Sequence, residues 1–338
     1  MPSVPLETAA VPKTLVLTRA DVESLLDLDS CFAAVEEAFR QHGAGEVPAP
    51  GALGLRTAGG GFHVKAGILG GSRPLFAAKV NGNFQGNDAR GLPRIQGVVV
   101  LADAEAGSPL AVMDSSAITR LRTAAATAVA AKHLARPDSK TIMICGCGVQ
   151  GRAQLRALAR VLAVEAVFCF DEERERALRF TQDLAPEVGF PIVAADDLRS
   201  AARASDVVVT CTPSKNPILF FGFLRPGAFL AAIGADSEEK QEVDSSLMAS
   251  STIVTDVTDQ CAAFGDLHHA LASGLVARGD VHGELGEIVA GRKPGRSSGK
   301  EIIVFDSTGM ALQDAAAAAV VLERARATGR GIEVDFAA

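Results

Sequence analysis

The segment TIMICGCGVQGRAQ contains three glycines with the spacing Gly-x-Gly-x-x-Gly, namely Gly146, Gly148 and Gly151. A strand-like apolar run precedes them and a helix-like run follows. Backbone N–H groups at such a turn, together with the N-terminus of the helix, can bind the pyrophosphate of a dinucleotide. The alternative interpretation is a glycine turn with a purely structural role.

An acidic residue lies where a dinucleotide-binding turn needs one. The next apolar run, AVFCF, is followed by Asp171, 25 positions after Gly146. A carboxylate at this place accepts hydrogen bonds from the adenosine ribose, and its charge repels a 2′-phosphate. The sequence therefore predicts NAD rather than NADP as the cofactor. The predicted cofactor-binding residues of this segment are Gly146, Gly148, Val149, Gln150, Gly151 and Asp171.

Three regions of the chain would position this turn. Two amphipathic helices, followed up to residue 113 by short apolar runs with tight turns, predict a helix pair and then a sheet. A further helix begins at Ser115 and ends near Pro137. From residue 141, strand and helix signals alternate, which predicts a parallel sheet with helical crossovers. The last strand, EIIVFD, precedes an alanine-rich helix that we expect to pack on the N-terminal region.

The composition of the 338-residue chain excludes several classes of protein. With 48% hydrophobic and 22% charged residues the chain can bury a large core, and its length favours two domains. A net charge of −7 without a long basic run argues against nucleic-acid binding. Because the sequence lacks both a run of about 18 apolar residues and an export signal, we expect no membrane contact and a cytoplasmic location. The six cysteines lack paired metal-type spacing, which fits a reducing compartment and predicts no metal site.

Further segments extend the pattern beyond the glycine turn. They are, in chain order, GLPRIQGVVVLADAEAGSPLAVMD, ITRLRTAAATAVAAKHLA, AAIGADSEEKQEVD, GELGEIVAGRKPG and VFDSTGMALQD. Together with the glycine turn they resemble the ornithine cyclodeaminase and mu-crystallin family, from about residue 15 to residue 330. Within that family the sequence looks most like the bacterial and archaeal alanine dehydrogenase branch.

The resemblance implies a fold and an assembly. The expected fold class is α/β, with a doubly wound parallel Rossmann sheet inserted in an α+β domain for substrate binding and dimerisation. The NAD-binding domain is expected at residues 137–303, and the other domain at residues 1–136 plus 304–338. A homodimer is the expected assembly.

The resemblance also implies a substrate site. Lys79 in FAAKVNGN and Arg122 in LRTAA match positions that bind the substrate carboxylate, and a planar guanidinium can grip a carboxylate through two hydrogen bonds. Asp236 in IGAD matches the acid/base position, so Asp236 and Lys79 are the expected catalytic residues. Positions near the cofactor are matched by Thr123, Lys240 and Ser307.

One stretch departs from the alanine dehydrogenase branch. Where that branch has a basic residue, residues 49–52 are alanine, proline and glycine. The segment GFHVKAG instead supplies His63, at the place of a second basic residue, and Lys65 on the same strand face. We expect both to face the substrate pocket, with Lys65 replacing the missing cation. The added charge would favour a small dicarboxylic imino acid over a substrate with a cationic tail. The alternative is an exposed polar stripe on an edge strand.

The predicted function is an NAD-dependent oxidoreductase acting on small 2-imino and 2-keto acids and amino acids. One alternative is an ornithine cyclodeaminase that recycles its NAD. That alternative is weakened because the NGHP sequence of the cyclodeaminase branch is replaced by NGNF, with Asn83 and Phe84. A second alternative is a small-ligand binding protein, as in mu-crystallin, because a fold does not fix its function.

Overall fold

The structure, a computed structural model, describes residues 13–336. Residues 1–12 and 337–338, which belong to the expected terminal domain segments, lie outside the described residues. The described strands form a mixed seven-stranded sheet and a parallel eight-stranded sheet. In chain order the strands are β1 (Thr14–Leu17), β2 (Gly51–Thr57), β3 (Gly60–Leu69), β4 (Leu75–Asn83), β5 (Ile95–Asp103), β6 (Pro109–Asp114), β7 (Thr141–Cys145), β8 (Ala166–Phe170), β9 (Ile192–Ala194), β10 (Val207–Thr210), β11 (Phe229–Ala232), β12 (Thr252–Thr255), β13 (Val281–Glu284), β14 (Ile303–Asp306) and β15 (Ile332–Val334).

Helices connect and cover the two sheets. They are α1 (Arg19–Leu25), α2 (Leu28–Ala44), α3 (Ser115–Leu134), α4 (Val149–Val161), α5 (Arg174–Val188), α6 (Leu198–Ala204), α7 (Ser245–Ala249), α8 (Thr258–Phe264), α9 (Asp266–Ala272), α10 (Leu285–Val289) and α11 (Ala311–Thr328), with short 3₁₀ turns at Gln85–Arg90 and Arg278–Asp280.

The parallel sheet has the strand order β13-β12-β14-β11-β10-β7-β8-β9. The order reverses between β7 and β10, so the turn after β7 lies at the switch point of a doubly wound sheet. Ligands of such sheets bind beyond the carboxyl ends of the strands at this point. The expectation of a Rossmann-type α/β fold is therefore confirmed, and the fold places the glycine turn at the expected crevice.

Two details of this sheet differ from the sequence-based expectation. β14 pairs with β11 and β12, because its apolar residues complete the middle of the sheet. The expected boundary between residues 303 and 304 therefore falls inside a strand of the parallel sheet, which ends at Asp306. In addition β13, in the polar segment VHGE, adds a parallel strand beside β12 that the sequence pattern does not predict.

The mixed sheet has the strand order β15-β1-β6-β5-β4-β3-β2. Side chains alternate between its two faces. One face is covered by α11, where the Cα of Gly67 packs so closely that a side chain there would lie 3.2 Å from Ala311. The expectation that the alanine-rich helix packs on the N-terminal region is thus confirmed. Lys65 on β3 and Lys79 on β4 are direct cross-strand partners on this face.

Helix α3 links the mixed sheet to the parallel sheet. Asp114 caps its N-terminus by accepting hydrogen bonds from the N–H groups of Ser116 and Ala117, at 3.0 and 3.1 Å. Such a cap stabilises a helix by about 1 kcal/mol. The helix ends at Leu134, before Pro137, as the sequence predicts. Its central residues are alanine, valine and threonine, and they are buried between the neighbouring helices and sheets.

Candidate active site

A cleft of about 480 Å³ separates the β2–β3 hairpin from the carboxyl ends of the parallel strands. His63 and Lys65 line it from β3. Asp236 and Lys240 line it from the loop after β11, and Phe264 lies at the end of α8. Four of the sequence-predicted site residues, His63, Lys65, Asp236 and Lys240, thus line one cavity.

Lys65 faces this cleft and also holds the loop after β14. Its Nζ donates hydrogen bonds to the carbonyl oxygens of Thr308 and Gly309, at 2.5 and 2.7 Å. Only 9% of the residue is exposed, and Nζ lies 5.8 Å from the centre of the Phe264 ring. Burial and the charge of Arg122 lower the pKa of Lys65. Lys65 therefore combines a position in the cleft wall with a direct bond to the loop.

Behind Lys65, two cations share one carboxylate. Lys79 and Arg122 are 4% and 5% exposed. Asp314, in the first turn of α11, accepts hydrogen bonds from Lys79 Nζ at 3.0 Å and from Arg122 Nε at 2.9 Å. Arg122 Nη1 also donates to Gln313 at 2.8 Å. The sequence predicts that these two side chains bind the carboxylate of the substrate. In the structure they bind Asp314 of the same chain, and they lie deeper than the cleft wall.

Sequence reasoning missed Asp314. It lies in the quoted segment VFDSTGMALQD, and its signal was an acidic residue at the start of an otherwise apolar alanine-rich helix. The charges of Arg122 and Lys79 hold its pKa below the usual range although burial acts in the opposite direction. Burial and the nearby charge of Arg122 lower the pKa of Lys79 to about 7. Because Lys65 lies directly opposite Lys79, three basic side chains and one carboxylate are brought together here.

Asp236 is an acidic residue of the cleft lining, and 47% of its side chain is exposed. Lys240 Nζ donates to its carboxylate at 2.6 Å and to the carbonyl oxygen of Gly234 at 3.2 Å. Burial alone would raise the pKa of Asp236, but the charges of Lys240 and Lys65 outweigh it, and the pKa is lowered. The pKa of His63 is lowered by burial and by the charge of Lys65. At neutral pH the cleft therefore presents an ionised carboxylate beside a neutral imidazole.

Glu242 supports the loop that carries Asp236. Its buried carboxylate accepts hydrogen bonds from the N–H groups of Thr212 and Gly234, at 2.6 and 2.8 Å. These two residues follow β10 and β11, so one side chain ties together the ends of neighbouring strands. The imidazole of His269 lies 2.9 Å from the carbonyl oxygen of Lys240 and supports the other end of the loop. Sequence reasoning did not single out Glu242.

Arg56 closes the mouth of the cleft from the hairpin side. Its guanidinium lies 2.9 Å from Glu238 and 3.1 Å from Glu239. All three side chains are more than half exposed, so the pairs contribute at most about 1 kcal/mol each. They nevertheless connect the hairpin to the loop that carries Asp236.

The glycine turn fits a dinucleotide. Gly146 has φ of +103°, a conformation that favours glycine. A side chain at Gly151 would collide with the carbonyl oxygen of Gly146, whereas one at Gly148 would meet no described heavy atom within 4 Å. Gly148 is the N-cap of α4, and it has no side chain to accept hydrogen bonds from the first N–H groups of the helix. The Oε1 atom of Gln150 is buried without a described partner. Val149, the first helical residue, is 66% exposed. The turn thus leaves free N–H groups and open space where a pyrophosphate would lie.

Asp171 lies at the end of β8, next to this turn. Its carboxylate accepts hydrogen bonds from the N–H groups of Cys147, at 2.8 Å, and Glu173, at 3.0 Å. Each bond uses one oxygen, which leaves lone pairs on both oxygens for ribose hydroxyls. Among the other predicted cofactor residues, Thr123 is buried beside Arg122, and Ser307 donates to Asp256 at 2.9 Å.

Within residues 13–336, His, Cys, Asp and Glu side chains do not form a group of three or more that could hold a metal ion. The helices of the same residues are too short or too polar to cross a membrane.

Comparison with known proteins agrees with this geometry. The family model described as "Ornithine cyclodeaminase/mu-crystallin family" matches residues 12–329. An archaeal alanine dehydrogenase, solved as a dimer with bound NAD, is 37% identical with a TM-score of 0.92, over 96% of this chain and 99% of that chain.

Two further solved structures are similar over nearly the whole chain. One is the Δ¹-pyrroline-2-carboxylate reductase of Thermococcus litoralis in complex with NADH and L-proline, at 32% identity and a TM-score of 0.89, over 95% of this chain and 100% of that chain. The other is the iminosuccinate reductase of Paracoccus denitrificans in complex with NAD⁺, at 32% identity and a TM-score of 0.89, over 96% and 100%. The chain belongs to the ornithine cyclodeaminase/mu-crystallin family.

Proposed function

We propose that this protein is an NAD-dependent oxidoreductase that acts on small 2-imino and 2-keto acids and on the corresponding amino acids. The observation that carries the proposal is the cleft, in which Asp236 from the parallel sheet faces cationic side chains from the mixed sheet. The glycine turn of the same parallel sheet fits a dinucleotide. The names of the similar solved proteins, an alanine dehydrogenase and two imino-acid reductases, support the same class of reaction.

The cofactor would be held by the turn and by Asp171. The N–H groups at Gly148, Val149 and Gln150 would bind the pyrophosphate, and Asp171 would accept hydrogen bonds from the adenosine ribose. When bound, NAD(H) supplies or accepts the hydride. We also propose that NAD is preferred over NADP, because a 2′-phosphate would lie against the Asp171 carboxylate.

The residues of the chain would orient the substrate and move its protons. Lys65, with Lys79 and Arg122 behind it, attracts the substrate carboxylate to the mixed-sheet side of the cleft. Asp236 is then free to exchange a proton with the substrate nitrogen or to activate water at the reacting carbon. Lys240 keeps Asp236 ionised between turnovers, as the hydrogen bond of 2.6 Å indicates. Holding the substrate in this orientation can lower a barrier by roughly 7–11 kcal/mol when the geometry is good.

The test is a screen of 2-keto acids with ammonia or methylamine for oxidation of NADH. We expect turnover with at least one small 2-keto acid in the wild type and a loss of turnover in Asp236→Asn. Two outcomes contradict the proposal. Conversion of ornithine without net change in NADH indicates a cyclodeaminase, and tight binding of NADH or keto acids without turnover of any substrate indicates a binding protein.

We further propose that Lys65 shifts the preference of the site towards substrates with a second carboxylate. The support is the concentration of basic side chains on the mixed-sheet side of the cleft, with Lys65 directly opposite Lys79. The test compares kcat/KM for oxaloacetate with ammonia and for pyruvate with ammonia in wild type and Lys65→Met. We expect the ratio to fall in the variant. An unchanged ratio, even with both activities reduced, assigns Lys65 only to the support of the Thr308–Gly309 loop.

We also propose a homodimer and a cytoplasmic location. The face of the mixed sheet opposite α11 leaves apolar side chains open to solvent, with Leu53 56%, Phe62 41% and Val98 40% exposed. Such a contiguous apolar face favours contact between copies of a chain. The similar archaeal alanine dehydrogenase is a dimer. The cysteines of the described residues are free thiols, which fits a reducing compartment.

A further inference from the structure

Asp256 is a buried acidic residue that the proposed reaction does not use. It follows β12 directly, at the carboxyl end of the parallel sheet, and its side chain is shielded from solvent. Its backbone N–H donates to the carbonyl oxygen of Asp306, the last residue of the neighbouring strand β14, at 3.2 Å. A carboxylate without access to water needs hydrogen-bond donors from the protein. Several of these donors come from the loop that follows β14.

Both carboxylate oxygens of Asp256 accept hydrogen bonds. Oδ2 accepts from the N–H of Gly309 at 2.5 Å and from the hydroxyl of Ser307 at 2.9 Å. Oδ1 accepts from the N–H of Val257 at 2.7 Å. The carboxylate thus binds two of the three residues of the 307–309 loop and holds that loop against the end of β12.

The same loop binds the side chain of Lys65. Its carbonyl oxygens at Thr308 and Gly309 accept from Lys65 Nζ, and Lys65 also lines the cleft. A protonated lysine has three N–H donors. Because the loop accepts two of them, one is left for a ligand in the cleft. The position of the loop therefore determines where this last donor points.

Gly309 is enclosed by charged and polar groups from several elements. It has φ of +82°, and a side chain at this position would come within 2.4 Å of Arg122 Nη1. Lys65 binds its carbonyl oxygen and Asp256 binds its N–H. Burial and the charge of Arg122 lower the pKa of Lys65, and the charge of Asp256 acts in the opposite direction. Asp256 thus affects both the place and the charge of the Lys65 ammonium group.

From this geometry we propose that Asp256 is a positioning residue, which acts through the 307–309 loop to hold Lys65 Nζ in the orientation that binds a carboxylate of the substrate. This inference rests on the proposed function. Asp256 does not belong to the described residues that line the cleft, so it acts through the backbone of the loop and not by contact with the substrate. The parallel sheet, which would hold the cofactor, in this way also affects the affinity for the substrate.

Asp256→Asn keeps the shape of the side chain and removes its charge. Each oxygen of Asp256 accepts a backbone N–H, from Val257 or from Gly309. Asparagine has one oxygen, so in either orientation its NH₂ group faces one of these N–H groups. Hydrogen bonds to an ionised acceptor are also roughly twice as strong as neutral ones. The variant should therefore hold the loop less tightly.

The matched control is Asp206→Asn, at the opposite end of the parallel sheet. The buried carboxylate of Asp206 likewise accepts from backbone N–H groups, those of Lys140 and Thr141, both at 3.0 Å. Because Asp206 precedes β10 and lies away from the 307–309 loop, its loss affects the sheet without affecting Lys65.

The first experiment measures the reactivity of Lys65 in the whole protein. Limited acetylation with acetic anhydride, followed by digestion and mass spectrometry, gives the rate for Lys65 and for Lys79, a second buried lysine. We expect the rate at Lys65 relative to Lys79 to rise about tenfold in Asp256→Asn, a typical effect within one hydrogen-bond network, and to stay at the wild-type value in the control. No change at Lys65, or an equal rise at both lysines, overturns the proposal.

Ser307→Ala provides a milder variant, which decides the question if Asp256→Asn does not fold. It removes one hydrogen bond to Asp256 and keeps the carboxylate and its bond to Gly309. We expect a smaller rise of the acetylation rate at Lys65, again without a rise at Lys79. An unchanged rate at Lys65 in this variant also contradicts the proposal.

The second experiment compares kcat and KM for oxaloacetate with ammonia in wild type, Asp256→Asn, Lys65→Met and the double variant. Asp256→Asn should raise KM about tenfold with a smaller change in kcat, and it should have no further effect once Lys65 is replaced. Equal effects of Asp256→Asn with and without Lys65 overturn the proposal. Acetylation needs neither substrate nor turnover. A wild type that shows the expected change at Lys65 but converts no keto acid therefore contradicts the proposed function and not the positioning of Lys65.

Discussion

Among the single residues, two aspartates in or near the cleft differ in exposure and in the side chains that they bind. Asp236 is half-exposed and paired with Lys240, whereas Asp314 is buried between the basic side chains of Lys79 and Arg122. An exposed carboxylate can exchange a proton with a ligand, but a buried one that holds two cations is occupied by them. The two aspartates therefore have different roles, one towards the substrate and one towards the protein.

This separation predicts the effect of Asp236→Asn. Turnover should fall by about 10²–10⁴-fold, the range typical of the loss of a general acid or base. NADH binding should be nearly unchanged, because the residue does not belong to the glycine turn. Steady-state kinetics and a fluorescence titration of NADH measure the two quantities. A variant within about tenfold of wild-type kcat would contradict the acid/base role.

The buried position of Lys79 predicts a dependence of stability on pH. Its pKa falls from 10.5 in the unfolded chain to about 7 in the folded protein. Between these values the unfolded state binds one more proton, so this residue makes the free energy of unfolding rise with pH, by up to about 1.4 kcal/mol per unit. This pH-dependent gain in unfolding free energy is complete above the unfolded pKa. It decreases as the pH falls towards the folded pKa of about 7, and below that value it is lost.

Urea unfolding of wild type and Lys79→Met between pH 7 and pH 10 checks this expectation. The difference in unfolding free energy between the two proteins should change with pH in favour of the wild type as the pH rises. Parallel profiles would mean that Lys79 keeps its proton in the folded state, held by Asp314.

Among the elements, the glycine turn before α4 contains one glycine that packing requires and another that leaves space for a cofactor. A side chain at Gly151 has no room beside the Gly146 carbonyl, but one at Gly148 has space among the described residues. Gly151→Ala should therefore lower the unfolding temperature, with a cost of about 1–3 kcal/mol. Gly148→Ala should fold as the wild type does but bind NADH more weakly, because its methyl group occupies the side that a pyrophosphate approaches.

Thermal unfolding and NADH titration of both variants make the comparison. Equal loss of stability in the two variants would show that the turn is built only for packing. Equal retention of NADH binding would remove the turn from the cofactor site.

The sequence predicts some elements and not others, for physical reasons. β7, α4 and β8 combine strong apolar periodicity with glycine punctuation, so local pattern alone defines them. β13 contains one apolar residue besides glycine, and it is a strand because β12 offers it a free edge. Lys65 could be placed on its strand face by alternation. Asp314 could not be placed, because its partners lie 235 and 192 residues away and meet only in the folded chain.

At the scale of the whole molecule, the open apolar face of the mixed sheet predicts how copies associate. Val98 lies in the middle of this face, opposite Val80 on the next strand. If the proposed homodimer uses this face, Val98→Asp should convert it to a monomer of 34.9 kDa, because a charge in such an interface is left without a partner. The matched control is Leu275→Asp, which changes a residue that is 56% exposed in the loop after α9.

Light scattering after size-exclusion chromatography gives the mass of each variant. The dimer should persist in the control. Loss of the dimer in both variants, or in neither, would place the interface elsewhere on the molecule.

The pairing of β1 with β15 brings two distant parts of the chain together. Thr14 and Val334 are direct partners in the mixed sheet. For protein engineering, the backbone is therefore almost a closed ring, which a short linker from residue 334 to residue 14 would complete. New ends at the exposed Asp138, in the connection after α3, would give a circular permutant in which the parallel sheet comes first and without interruption. The order of the two sheets along the chain then depends on where the ring is opened, whereas the packing of the strands stays the same.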